Sequence, residues 1–173
     1  THPNSAIDNR AFIKMNRGSF SDPRVETKFG DAWLSVDLLI TEGKRFDTII
    51  VDLPDPNHPD LNKLYSTGFY NKLRNVLTGD GALVVQSTSP YHAKRTFLSI
   101  GKTIEASGFS QVDQYHANVP SFGEWGWTIA VPLGTAPKTR IKNFKEPLPK
   151  SWATQEMIDA SFVFGHNFFS NKQ

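Results

Sequence analysis

The sequence predicts an open α/β sheet, mostly parallel, with helices on both faces and an antiparallel pair at one edge. Three observations carry that expectation. Phe46–Val51 and Ala82–Gln86 are short, nearly continuous apolar runs, the pattern of strands covered on both sides. Each is followed by a segment whose apolar residues recur at helical spacing. Two further runs, 111–119 and 125–131, are separated by the tight segment Pro120-Ser121-Phe122-Gly123-Glu124, which suits two adjacent antiparallel strands.

The first region, to about Phe20, is polar, with Ile7, Ala11, Phe12 and Met15 spaced as on a helix facing a core. After the turn Ser21-Asp22-Pro23, the segment 24–29 alternates as a strand does, and Gly30-Asp31 ends it. Residues 32–40 read as a helix, and 46–51 as the first buried strand. Ser66 or Thr67 caps a helix over 67–77 whose Phe69, Leu73, Val76 and Leu77 share one face. Gly79-Asp80-Gly81 is expected to stop it before the strand 82–86. A second covering helix over 90–107 runs through Phe97, Ile100 and Ile104 and closes at Gly108. Residues 132–150, rich in proline and lysine, read as a basic linker-like segment. Within 151–173, Thr154 caps a short helix through Ile158 to Phe162, and a tail follows.

A length of 173 residues suits one domain with a real core, and no internal repeat is visible. The balance of 19 Lys plus Arg against 17 Asp plus Glu leaves +2, too little to imply nucleic acid as a partner. The absence of cysteine excludes disulfides and thiolate metal sites. Histidines 2, 58, 92, 116 and 166 show no paired ligand spacing, so no metal is expected. No apolar run approaches the roughly 20 residues that span a bilayer, and THPNSAIDNR lacks a signal-peptide pattern.

The chemistry concentrates in DLPDPNHPD, residues 52–60, where Asp52, Asp55 and Asp60 are interleaved with three prolines directly after a greasy strand. Ligands of open α/β sheets bind beyond the carboxyl ends of the strands, which is where Asp52 and Asp55 fall. Proline fixes φ and reduces the loop's freedom before anything binds. Clustered carboxylates repel one another unless a cation shares the site, so a positively charged ligand is the natural partner. A solvated acidic loop with ordinary turn chemistry is the competing reading.

The segment FDTIIVDLPDPNHPDLNKLYSTGFYNKLRNVLTGDGALVVQSTSP resembles the core of the spermidine synthase (polyamine aminopropyltransferase) family. The shared features are D-x-x-D-P after a buried strand (Asp52, Asp55, Pro56), Leu64-Tyr65, Phe69-Tyr70, and the strand from Gly81 to Gln86. DPRVETKFGDAW and VPSFGEWGWTIA extend the match from about Ser21 to Val131, and NHPDLNKLYS with FGEWGW resembles the branch whose synthase domain follows a membrane-embedded region.

That resemblance implies a Rossmann-like S-adenosylmethionine-dependent transferase fold. It implies transfer of an aminopropyl group from decarboxylated S-adenosylmethionine, a co-substrate, to a diamine such as putrescine. Asp52 would take or relay the amine's proton, and Asp55 would hold a cationic amine. On the cofactor side the resemblance assigns Asp31, Ala32, Leu64 and Gln86, with Asp31 receiving the adenine amino group; a helix cap is the alternative for Asp31 and plain core for Leu64. On the amine side it assigns Tyr65, Phe122, Glu124 and Trp127, with Trp125 beside them. Phe122 stands where many family members carry a hydrogen-bonding tyrosine, and Glu124 is expected to replace that contact.

The family's glycine-rich loop and the acidic residue that takes the ribose do not occur in the sequence. The chain is therefore expected to be a partial domain over 1–173, lacking amino-terminal strands, from the carboxyl-terminal portion of a longer protein. A gap opened in the middle of the sheet, between the segments 25–29 and 48–51, would then be filled by more of that protein, closed by rearrangement, or met by a second copy in a homodimer. The branch resemblance implies a parent tethered to the cytoplasmic face of an inner or plasma membrane, with the basic run 138–150 near its lipid headgroups. An amine methyltransferase and a noncatalytic polyamine-binding domain are the alternatives.

Overall fold

The computed structural model describes residues 14–56, 59–144 and 153–170. The chain divides into a unit over residues 1–31 and a larger unit over 32–173.

In the first unit, the helix expected up to Phe20 lies mostly outside the described residues. What is described there is a short 3-10 turn, Ser19–Ser21, entered through Gly18 at φ 73°. Arg24 donates through its backbone N–H and Nε to Asp22 Oδ1 and through Nη2 to Oδ2, each at 2.9 Å. These bonds hold the Asp22 carboxyl below the usual carboxylate range. The predicted strand over 24–29 is corrected: the segment joins no ladder among the described residues. Alternation gives an extended preference, but a strand also needs a partner edge.

The second unit begins with α1 (Ala32–Thr41) and β1 (Phe46–Val51). After the short helix α2 (Pro59–Asn62) and a 3-10 turn over Lys63–Tyr65 come α3 (Thr67–Asn75) and β2 (Leu77–Gln86). Then follow α4 (Lys94–Ala106), β3 (Gln111–Val119), β4 (Gly123–Val131), α5 (Pro137–Asn143) and α6 (Gln155–Ser161). The sheet order is β1-β2-β4-β3, parallel between β1 and β2 and antiparallel in the other two pairs. The antiparallel edge is as expected, and among the described residues the parallel part is a single ladder.

Several predicted boundaries moved for identifiable reasons. Gly79-Asp80-Gly81 does not separate helix from strand but lies inside β2, as a bulge between the pairs Phe46–Leu77 and Thr48–Ala82. Position 81 is crowded: a Cβ there would approach the Asp47 carbonyl oxygen to 3.0 Å and Thr78 Oγ1 to 2.9 Å. The helix predicted from residue 90 starts at Lys94, because Ser89 Oγ accepts from the N–H groups of Tyr91 and His92 and sets a turn first. The linker expected over 132–150 contains α5, which Pro137 opens at a position where its missing N–H costs nothing. Ser66 and Thr154 cap α3 and α6 as predicted, accepting from the N–H groups of Phe69 and Met157.

The core lies on one face of the sheet. Phe69 and Leu73 of α3 and Ile100 and Ile104 of α4 pack with Leu83, Val85 and Ala130, all buried. Each such side chain contributes roughly 1.5–3 kcal/mol through removal from water. α1 is tied to α3 by Lys72, whose Nζ lies 2.6 Å from both Asp37 carboxylate oxygens and 3.9 Å from the centre of the Trp33 ring. The opposite face is covered in part by α5, where Pro137 and Ile141 line a small cavity with Ala82, Ile129 and Val131. Among the described residues no helix is long and apolar enough to cross a membrane.

Candidate active site

β1 and β2 run parallel, so Val51 and Val85 come level and both chains leave the sheet at the same end. There the loop after β1 carries Asp52 and Asp55, while β2 ends on Gln86. The hairpin of β3 and β4 adds Trp127, which pairs with Gln86, and Trp125 two residues before it on the same face. Together they enclose a cleft of about 620 Å³. Its polar groups come from Asp52, Asp55 and Gln86, and its apolar walls from Leu53, Val119, Phe122, Trp125 and Trp127. Tyr115 stacks behind Trp127 at 5.5 Å between ring centres, and Phe122, 64% exposed, leans on Trp125 at 5.3 Å.

The two aspartates are held differently. Asp52 is exposed, with no hydrogen bond to its carboxylate among the described residues. Asp55 is half-buried, and each of its oxygens accepts one bond: Oδ1 from Gln86 Nε2 at 3.0 Å, Oδ2 from the Thr88 hydroxyl at 3.1 Å. The loop between them is braced by Tyr65, whose hydroxyl donates to the carbonyls of Pro54 at 2.9 Å and Leu53 at 3.2 Å. Burial, and then the charges of Asp55 and Asp52, push the Tyr65 hydroxyl up to about 12, so it stays a donor at neutral pH. Tyr65 is thus a brace behind the carboxylates, set one turn before α3 by the Ser66 cap.

Of the other expected site residues, Gln86, Phe122, Trp125 and Trp127 are brought to the cleft, whereas Leu64 is buried in the main core at 8% exposure. Ala32 opens α1 and packs against the same core, and Asp31 ends the first unit. The role expected for Glu124 is corrected by geometry. β4 starts at Gly123 rather than Trp125, so Glu124 points to the face opposite the two tryptophans. There its Oε2 lies 2.7 Å from His116 Nδ1, and His116 Nε2 lies 2.8 Å from the Val163 carbonyl. Both ring nitrogens thus lie within hydrogen-bond distance of an oxygen, which fixes the ring away from the cleft.

Thr88 was missed from the sequence. The signal available was a β-branched residue at a sharp exit from a buried strand, in Gln86-Ser87-Thr88-Ser89-Pro90. Among the described residues no group of three or more His, Cys, Asp or Glu side chains fits a metal ion. An aromatic-walled cleft with two carboxylates at one end, one braced and one open, suits an organic cation with an apolar stem.

The chain is similar to proteins of one known family. The spermine/spermidine synthase domain matches residues 5–143. A polyamine aminopropyltransferase of Shewanella oneidensis is 50% identical over 163 residues, 94% of this chain and 28% of that protein. Polyamine aminopropyltransferase 1 of Streptomyces coelicolor is 43% identical over 130 residues, 74% of this chain and 23% of that protein. The chain thus spans less than a third of the length of these relatives. Among solved structures, a spermidine synthase in complex with the transition-state analogue AdoDATO superposes with a TM-score of 0.71 at 24% identity, over 92% of this chain and 54% of that one. The spermidine synthase of Thermotoga maritima gives 0.69 at 22% identity, over 93% and 53%. With four-fifths of its length matched by that domain, the chain belongs to the spermine/spermidine synthase family.

Proposed function

We propose that this chain supplies the amine half of a polyamine aminopropyltransferase site, in which a diamine such as putrescine attacks decarboxylated S-adenosylmethionine. The observation that carries the reading is the pairing of Asp52 and Asp55 in one aromatic-walled cleft. An alkyl amine is protonated near neutral pH, with a reference pKa of about 10.4 for lysine, and an ammonium has no lone pair. Asp55, held by neutral donors, receives an ammonium and orients the chain, while Trp125 and Trp127 wall its methylenes. Asp52, open at the mouth, accepts or relays the proton of the attacking nitrogen. The nitrogen's lone pair forms the new bond to the carbon beside the sulfonium, the carbon–sulfur bond breaks, and its electrons leave on methylthioadenosine.

On the cofactor side Asp31, Ala32, Leu64 and Gln86 are assigned by resemblance, with Asp31 on the adenine amino group. The parent protein is read as longer than this chain. The outer edge of β1 has no partner strand among the described residues, which supports a further strand there from elsewhere in the protein or from a second copy in a homodimer. Tethering to the cytoplasmic face of a membrane rests on the sequence stretches NHPDLNKLYS and FGEWGW.

A product assay on the complete protein tests the reaction. Putrescine with decarboxylated S-adenosylmethionine is expected to give spermidine and methylthioadenosine. A methylated amine from S-adenosylmethionine would establish a methyltransferase instead, and polyamine binding without turnover a noncatalytic domain. Asp31→Ala is expected to weaken the nucleoside co-substrate more than the amine, by roughly 1.5–3 kcal/mol for one charge-assisted hydrogen bond. Equal weakening of both ligands by calorimetry would make Asp31 a helix cap.

A further inference from the structure

Thr88 adopts φ 61°, in the left-handed region that a β-branched residue rarely enters. Such strain persists where the surroundings over-determine it. Here the Ser87 N–H donates to the Gly126 carbonyl and the Gly126 N–H donates to the Thr88 carbonyl, both at 2.8 Å, so the bend is clamped against β4. Position 126 must be glycine for this clamp, because a Cβ would overlap the Phe97 ring and come within 2.9 Å of the Thr88 carbonyl oxygen. The Thr88 N–H also donates to Gln86 Oε1 at 3.3 Å, which turns the Gln86 amide so that its Nε2 meets Asp55.

Thr88 is 3% exposed and does not line the cleft. Its hydroxyl donates to Asp55 Oδ2 from behind, and Gln86 takes Oδ1. One neutral donor on each oxygen fixes the plane of the carboxylate and leaves lone pairs toward the cleft. Neither donor carries a charge, so the negative charge of Asp55 remains for a cation from solution.

We propose that Thr88 is a positioning residue for amine recognition: its hydroxyl, aimed by a strained left-handed backbone, fixes the Asp55 carboxylate in the orientation that receives the substrate ammonium. This rests on the reading that Asp55 binds the amine.

The test is steady-state kinetics on the complete protein, with the KM for putrescine and the KM for decarboxylated S-adenosylmethionine measured separately. Thr88→Val keeps the shape and removes the hydroxyl; it is expected to raise the putrescine KM roughly tenfold and leave the other KM within about twofold. Thr88→Ser keeps the hydroxyl and is expected to recover putrescine KM to within about threefold. Thr88→Gly removes hydroxyl and strain together, so it should melt no lower than the parent yet show the same putrescine defect. Asp55→Asn separates the two readings. If it raises the putrescine KM while Thr88→Val does not, the role of Thr88 is overturned and that of Asp55 stands. If Asp55→Asn leaves the putrescine KM unchanged, the reading of the cleft fails and Thr88 fails with it. A Thr88→Ser variant as defective as Thr88→Val, or a Thr88→Gly variant with normal putrescine KM, also overturns the proposal.

Discussion

Leu83 and Ile50 stand on neighbouring strands, yet Leu83 is wholly buried and Ile50 is 73% exposed. They belong to opposite faces of one sheet. The face of Leu83 is closed by α3 and α4 and holds the main core. Among the described residues, the face of Ile50 is covered by α5 at the side of β3 and β4, where Val131 falls to 1% exposure. The carboxylate cleft sits at the end of the strands and draws on both regions. Gln86 lies on the face of Ile50 and Thr88 just past the strand end, and both are buried, while Asp52 and Phe122 remain in solvent. Stability and ligand access are thus divided between a closed and an open region, which allows the site to be rigid behind and reachable in front.

The largest effect is expected on the closed face. Leu83→Ala should destabilise the 173-residue chain by about 2–5 kcal/mol, the range for a buried leucine that leaves a cavity. Urea unfolding measures it, and a loss under about 1 kcal/mol would mean that this face repacks and the contrast is weaker than its burial suggests. Next comes the cleft, where Asp52→Asn in the complete protein should lower turnover at least about a hundredfold, the low end for losing a general base, with unfolding unchanged. Near-normal turnover at neutral pH would remove Asp52 from the proton's route. The smallest effect is expected on the open face: Ile50→Ala should change the stability of the 173-residue chain by no more than about 0.5 kcal/mol. A larger loss would show that Ile50 is covered in solution, by a second copy or by residues beyond those described.

The carboxylate pair was legible because everything that places it is local. A buried strand ends at Val51, and the next four residues carry both aspartates and a proline. The caps at Ser66 and Thr154 were legible for the same reason, since a capping side chain reaches only three residues ahead. Glu124 was misplaced by a matter of parity. Taking β4 to begin at Trp125 left its side undecided, whereas the pairing of Val119 with Gly123 sets it on the far face with His116. The segment 24–29 was misread because alternation is necessary for a strand and the partner edge is not written in the segment itself.

By itself, then, the sequence determined the alternation of strand and helix, the two carboxylates, and the aromatic residues available near them. These depend on the order and spacing of neighbouring residues. The tertiary structure alone decided that Gln86 and Thr88 hold Asp55, that Tyr65 braces the loop, and that Glu124 turns away. Each of those contacts joins residues 8 to 33 positions apart. The register between strands and the bend clamped by Gly126 fix them, and that register is set by packing the whole sheet at once.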